Sequence, residues 1–354
     1  MRLVNSRFAQ SSSFFWDERA ATLEEQTTQP IQDHIEMGFS GTLEDPDFSD
    51  LVTRLSAIDD YRVLFAAVNG TPEITEAKIQ KALAQFVRSI QSFDSKYDVG
   101  RSTVANDGAN FPNFTVDENR GKSLFLSPPG GPGGGAGCAG CHRPPEFDIA
   151  PNSGNNGIVS SLEGGSDFTN TRSPSLRDVV QQDGTPNGPF MHDGSKADLA
   201  AVIAHYNAIP AIVPGLDARL TRRSPGGPQP QRLNLTAQDQ ADLVAFLGTL
   251  SGNSLYTDPK WSDPFDTDGQ LSVIVLPEDA LALEMSTNAT HHALTLSTVG
   301  VPGLDYVFQQ SEDCSTWFDT AITADVEGSL RVEVAPPTSD QKWFYRFIYQ
   351  VPEA

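Results

Sequence analysis

Cys138 and Cys141 stand three positions apart, and His142 follows the second directly, in the pentapeptide CAGCH. Two thiols at this spacing can each form a thioether with a vinyl group of one haem, while the adjacent imidazole meets the iron as its proximal ligand. The chain holds three cysteines and six histidines in 354 residues, so a chance match to this pattern is improbable. A structural zinc site would need two further ligands, and the third cysteine, Cys314, lies in a stretch of different texture, where it reads as a small buried apolar residue. A thioredoxin-type redox pair needs a βαβ setting, whereas this motif is flanked by a glycine-rich loop and by Pro144-Pro145. The motif therefore predicts one covalently bound haem c with His142 on its iron.

The elements that must carry the motif are helical on one side and irregular on the other. Between residues 16 and 100, RAATLEEQ, DFSDLVTRLSAI and TEAKIQKALAQFVRSIQSF place apolar residues at three-four spacing, with Thr75 as a candidate N-cap of the last. TVDENRGKSLFL predicts a short helix running into PPGGPGGGAG. That stretch lacks the Gly-Lys-Ser/Thr ending of a phosphate-binding loop and reads as a flexible connector. Residues 143–195 are rich in Pro, Gly, Asn and Asp, and a long irregular segment in a compact domain usually wraps something. A buried cofactor would supply the missing core. Helices return over Lys196 to Asn207, with Leu199, Val202, Ile203 and Tyr206 on one face, and at TAQDQADLVAFLGTL, capped by Thr236. Beyond residue 270, short alternating runs such as LSVIVLP, HALTLSTV and SLRVEVAP predict an all-β module.

A net charge of −22 and a pI near 4.5 argue against nucleic acid or an anionic membrane as partner and favour basic proteins. No apolar run approaches the roughly 18 residues needed to span a bilayer. The first twenty residues lack the apolar core of a secretory signal. Covalent haem attachment takes place outside the bacterial cytoplasm, so the expectation is a periplasmic or secreted protein whose native start lies upstream of Met1.

Four blocks, FFWDERAATLEEQTTQPIQDHIEMG, GKSLF with CAGCH, TRSPSLRDV, and GPFMHDGSKADLAAVIAHY, resemble in order those of bacterial di-haem cytochrome c peroxidases and their MauG relatives. The resemblance covers residues 1 to about 250. It implies a mainly α, cytochrome c-like haem domain with long loops, to which a C-terminal all-β, sandwich-like domain is appended. The expected division is 1–110, a helical segment completing the first haem domain and the inter-haem region; 111–255, the cytochrome c-like haem domain; 256–270, a linker; and 271–354, the β module. The implied activity is reduction of hydrogen peroxide with electrons that a donor cytochrome or cupredoxin delivers through a c-type haem. In that family a first haem domain with its own Cys-x-x-Cys-His precedes the region where this chain begins, so a second haem is expected upstream. A homodimer is a candidate assembly.

Residue by residue, the resemblance makes Trp16 the electron relay between the haems. It makes Gln26 and Glu36 the polar pair facing peroxide, with Pro30 near the same pocket. One carboxylate can take a proton from one peroxide oxygen and return it to the other, work that suits Glu36. The family's Asn-Pro before that Glu is replaced by Asp33-His34. Backbone oxygens near Asn187 and Pro189 match an inter-domain calcium site, although Thr is usual where Asn187 stands, and carbonyls suit so hard a cation. His192 matches a residue that hydrogen-bonds near the haems. The second axial ligand in the peroxidases is a methionine fourteen residues after that His; here the position holds Tyr206, the residue type of MauG, and Met191 is the fallback ligand. The plain alternatives are an aromatic plug for Trp16, a solvated Glu36, a structural His192 and a Tyr206 that only packs on the porphyrin. Two rival functions follow: a MauG-like oxidase of a protein or organic substrate, favoured by Tyr206, and a mono-haem electron-transfer protein without peroxide chemistry, favoured by the single attachment motif.

Overall fold

Side-chain caps set where the main helices begin. The computed structural model describes residues 3–130, 134–161, 164–263, 284–288, 293–299, 305–312, 316–323, 329–334 and 343–349. Cys314 and residues 264–283, which include part of the expected linker, lie outside them. Helix α1 (Leu23–Thr28) starts where Thr22 Oγ1 accepts the Glu25 N–H at 3.1 Å. Next come α2 (Phe48–Ser56), α3 (Asp59–Asn69), α4 (Glu76–Ser89) and α5 (Lys96–Ser102). Thr75 does cap α4, its hydroxyl taking the Lys78 N–H at 3.3 Å. In α6 (Val116–Leu126) the cap is reciprocal, with Thr115 Oγ1 accepting from Glu118 N at 3.1 Å and Glu118 Oε2 accepting from Thr115 N at 2.6 Å. Helix α7 (Leu199–Asn207) begins three residues later than its periodicity suggests. Lys196 is held in a bridge to Phe190, and Asp198 Oδ1 takes the Ala201 N–H at 2.8 Å. Thr236 and Asp239 form the same reciprocal cap on α8 (Ala237–Gly248), which is followed by the short α9 (Ser254–Thr257).

The chain divides into two units: Met1–Ser40 with Ile79–Trp261, and Gly41–Lys78 with Ser262–Ala354. In the first, α6 packs along α8, and Tyr97, Phe111, Phe125, Phe147, Phe246 and Leu243 form its buried centre. Ring centroids 4.9 Å apart for Tyr97–Phe147 and 5.2 Å for Phe125–Phe246 place edges against faces, the favoured arrangement for aromatic pairs. The helices meet closely at Gly121, where an added Cβ would collide with the Asp242 carbonyl and stand 2.9 Å from Phe246 Cβ. Gly121→Ala should therefore lower stability by about 1–3 kcal/mol, despite alanine's better helix propensity. The shift of the urea midpoint measures it, and an unchanged midpoint would mean that the two helices separate freely.

Two small antiparallel ladders interrupt the loops of this unit. Strands β1 (His142–Arg143) and β2 (Asp148–Ile149) pair His142 with Ile149, and β3 (Thr221–Arg222) pairs with β4 (Gln229–Pro230).

The second unit holds α2, α3 and the C-terminal strands. Strands β5 (Glu284–Asn288), β6 (Ala293–Val299) and β9 (Ser329–Val334) form one antiparallel sheet in the order β5-β6-β9. The other has the order β10-β7-β8, from β7 (Asp305–Ser311), β8 (Phe318–Thr323) and β10 (Phe344–Tyr349). Leu296 and Leu330 from the first sheet and Tyr306, Phe308 and Phe347 from the second belong to one buried apolar cluster. Alternation puts these residues on a single face of each strand. Among the described residues no helix is long and apolar enough to cross a membrane.

Candidate functional site

The CAGCH segment is held from beneath by backbone contacts. Ala136 N donates to Leu124 O at 2.7 Å and Gly137 N to Ser127 O at 2.9 Å, so the end of α6 fixes the approach to the motif. Gly137 has φ 70, and a Cβ there would stand 2.6 Å from Pro129 Cδ; only glycine suits the position. A single 3-10 turn over Cys138–Gly140 follows, closed by Cys141 N donating to Cys138 O at 3.1 Å.

From the motif, the β1–β2 turn brings the chain back over His142. Phe147 closes it with its N–H on Arg143 O at 2.8 Å, at φ 54. Its ring is fully buried in the aromatic core, while its carbonyl stands 3.2 Å from His142 Nδ1. A backbone carbonyl there requires the proton on Nδ1 and leaves the lone pair on Nε2, the arrangement of a metal-ligating histidine. Burial pulls the His142 pKa down to about 4, so the imidazole is neutral at physiological pH. Burial, with the neighbouring Cys141, pushes the Cys138 thiol up to about 12, and burial raises Cys141 as well. Both thiols are free.

Cys138, Cys141, His142, Trp16, His192 and Tyr206 all line one cavity of about 670 Å³. This volume lies within the usual range for small-molecule and cofactor sites. The Trp16 and His192 rings meet edge to face, with centroids 6.1 Å apart. Trp16 O accepts from Thr171 N and Arg172 N, both at 2.9 Å, and His192 Nε2 stands 2.9 Å from Ser160 O. Tyr206 comes from the last turn of α7, on the face that buries Leu199 and Ile203, and burial raises its phenol pKa above the ordinary value. Met191 is not among the described residues lining the cavity; its sulfur takes a hydrogen bond from Asn156 Nδ2 at 3.2 Å.

The other residues singled out from the sequence sit elsewhere. Gln26 is buried within α1, and Glu36 is exposed on a loop whose turn is made by Asp33 Oδ1, which accepts from Ile35 N at 2.8 Å and Glu36 N at 3.2 Å. Neither lines the 670 Å³ cavity. His34 is exposed on the same loop, and Pro30 O accepts the Met37 N–H at 3.3 Å. Asn187 Nδ2 donates to Asp178 O at 2.9 Å and to Tyr256 Oη at 3.0 Å, while Pro189 is exposed.

Two arginines that sequence reasoning left without a role complete the cavity wall. Arg219 donates to Gly140 O at 2.6 Å, to Ser153 Oγ at 2.8 Å and, through Nε and Nη2, to Asp217 at 2.8 and 2.6 Å. It ties the motif's own loop to a segment almost eighty residues away. Arg172 is 4% exposed, lies 3.6 Å from Asp148, and its Nη1 has no hydrogen-bond partner among the described residues. The TRSPSLRDV block is the signal that could have flagged it.

This residue set fits a covalently attached haem. Two thiols in no disulfide among the described residues and a histidine whose Nδ1 faces a backbone carbonyl share one cavity, and the Arg172 nitrogen without a partner among those residues is the donor that a buried propionate carboxylate would satisfy.

Residues 1–103 match the family model for di-haem cytochrome c peroxidase. The chain is 30% identical over 247 residues to a methylamine utilization protein MauG of Methylophilus methylotrophus, an alignment covering 69% of this chain and 65% of that relative. The match thus spans just under two thirds of that relative's length. Against the cytochrome-c peroxidase IdrP1 of Denitromonas iodatirespirans, identity is 26% over 293 residues, covering 73% of this chain and 70% of the relative. A solved MauG-like protein associated with microbial copper homeostasis is 26% identical, with 70% of this chain and 71% of that chain covered and a TM-score of 0.42.

Proposed function

The chain belongs to the di-haem cytochrome c peroxidase and MauG family, and from that premise we propose that it serves an oxidoreductase that reduces hydrogen peroxide with electrons arriving through a c-type haem. The observation that carries this reading is the convergence of Cys138, Cys141 and His142, with Nδ1 of the histidine occupied, on one cavity. A bound haem would be cradled in a mainly α, cytochrome c-like domain, and the C-terminal strands would form a sandwich. A c-type haem bound there supplies an iron that takes up and hands on single electrons.

The chain's own residues do the rest. Cys138 and Cys141 would hold the cofactor covalently, and the Phe147 carbonyl keeps His142 in the tautomer whose Nε2 carries the lone pair. Arg219 stiffens the motif loop, and Arg172, whose Nη1 has no hydrogen-bond partner among the described residues, would meet a propionate carboxylate of a bound haem. Trp16, edge-on to His192 at the cavity, would relay electrons onward. Gln26 and Glu36 serve the second haem of the assembled protein. There the exposed Glu36 carboxylate moves a proton from the near peroxide oxygen to the leaving one, and Gln26 orients the pair. A calcium ion held by backbone oxygens near Asn187 and Pro189, a periplasmic location and a cytochrome or cupredoxin donor belong to the same proposal.

A MauG-like oxidation of a protein or organic substrate is the second reading. The presence of Tyr206 in the cavity wall, where Met191 is not, favours it. In the haem-loaded full-length protein, Glu36→Gln should slow peroxide cleavage by about a hundredfold or more while leaving the haem spectra intact, because it removes a proton shuttle and no ligand. Stopped-flow mixing with peroxide measures it. An unchanged rate would return Glu36 to the role of a solvated surface residue.

A further inference from the structure

Met191 and Tyr206 both carry an atom that can bind iron, and the structure treats them differently. Tyr206 lines the cavity on a stiff helical support, with its backbone oxygen accepting from Gln231 Nε2 at 2.9 Å. Met191 has φ 68, in the left-handed region that side chains other than Gly, Asn and Asp seldom occupy. A backbone held there persists only where its surroundings over-determine it. The side-chain contact that the conformation delivers is the one from Asn156 Nδ2 to the Met191 sulfur, at 3.2 Å.

Asn156 is itself fixed on several sides. Its Oδ1 accepts from Ile158 N at 3.0 Å, and its backbone carbonyl stands 2.8 Å from His205 Nε2, one residue before Tyr206. The preceding Asn155 is fully buried, donates through N to Gly215 O at 2.9 Å and takes the Asp217 N–H at 3.0 Å. With Oδ1 engaged by the backbone, the amide nitrogen can only be a donor, and it faces the cavity wall. Asn156 thus binds one competitor and lines the cavity beside the other.

We propose that Asn156 selects the sixth iron ligand: its amide holds the Met191 sulfur out of the cavity and so leaves the site to Tyr206. The inference rests on the reading of Tyr206 as a haem ligand. Thioether sulfur is a weak acceptor, so the hold on Met191 is a bias between two ligands, and removing the donor shifts the bias. Asn156 is a positioning residue, and its effect reaches the iron through the ligand it favours. A haem with sulfur in place of phenolate has a higher potential and a sulfur-to-iron charge-transfer band.

The test uses the full chain matured with haem. Asn156→Asp keeps the oxygen that caps Ile158 N but has no N–H to give to Met191. The expected result is a ferric protein that gains the sulfur-to-iron band and a raised potential, and loses the band again when Met191→Leu is added. A loosened fold alone would not create a band that depends on Met191. An unchanged ferric spectrum and potential in Asn156→Asp would overturn the proposal, as would a sulfur band surviving Met191→Leu. Tyr206→Phe in the otherwise unaltered chain separates the two failures. If it leaves the ferric spectrum unchanged, the ligand reading of Tyr206 falls; if it changes the spectrum and Asn156→Asp does not, only the role of Asn156 falls.

Discussion

Replacing both Cys138 and Cys141 with alanine should leave no haem covalently attached to a chain that otherwise carries one. The readout is haem absorbance in alkaline pyridine after denaturation and acid-acetone extraction, which removes any haem held by coordination alone. The expectation follows from where the thiols lie. Both line the same cavity as His142, and neither is paired with another cysteine among the described residues. With the Cys138 thiol pushed up to about 12 by burial and by Cys141, very little of it is thiolate at neutral pH. Such a thiol is a poor spontaneous nucleophile and a poor metal ligand by itself, so attachment needs dedicated chemistry before or during folding. Chains made where no haem is attached should accordingly keep reduced, slowly reacting cysteines. A haem surviving extraction at this site in the double variant would remove the basis of the site.

Legibility from the sequence follows how local each device is. The pentapeptide and the caps at Thr75 and Thr236 are written within five residues of one another, and each stands in the structure as a local hydrogen-bonded unit. The start of α7 differs because Asp198 offers a better cap than the residues before it, and apolar spacing alone does not register caps. Residues 143–195 have no period to read. Their composition tells that something is wrapped there, yet the contacts that shape the cavity join positions far apart, as Arg219 does with Gly140 and Asn155 with Pro214. Helical periodicity also reports which face of α2 and α3 is apolar and nothing about what that face meets. The structure groups Gly41–Lys78 with the C-terminal strands, across the expected boundary at residue 110. Trp16, Tyr206 and His192 were findable only by resemblance, since no local pattern marks them. Asn156 carries no signal at all until Met191 and Tyr206 are seen on either side of it.

Asp98→Ala should cost about 3–5 kcal/mol of folding stability, because it strands a buried cation beneath the haem-binding turn. The Arg177 side chain is wholly buried and donates to Asp98 Oδ2 at 2.6 Å and Oδ1 at 2.8 Å, with Ser95 Oγ at 3.2 Å. Its remaining donors reach Pro145 O at 3.1 and 2.6 Å, and its guanidinium lies 5.4 Å from the centre of the Phe147 ring. Those two residues make the turn whose carbonyl orients His142. Paired and stacked in this way, the arginine is a rigid post under the site. Removal of the carboxylate leaves its charge without compensation, whereas a double Asp98→Ala, Arg177→Met exchange removes both charges and should recover much of the loss. Asp98 also closes the reciprocal cap of α5 with Ser95, worth about 1 kcal/mol, and Ser95→Ala measures that cap together with the 3.2 Å bond from Arg177. Urea unfolding of the haem-loaded protein gives the four values. A single-variant loss no larger than that of Ser95→Ala, or a double variant as unstable as Asp98→Ala alone, would show that Arg177 is not the post on which the His142 turn rests.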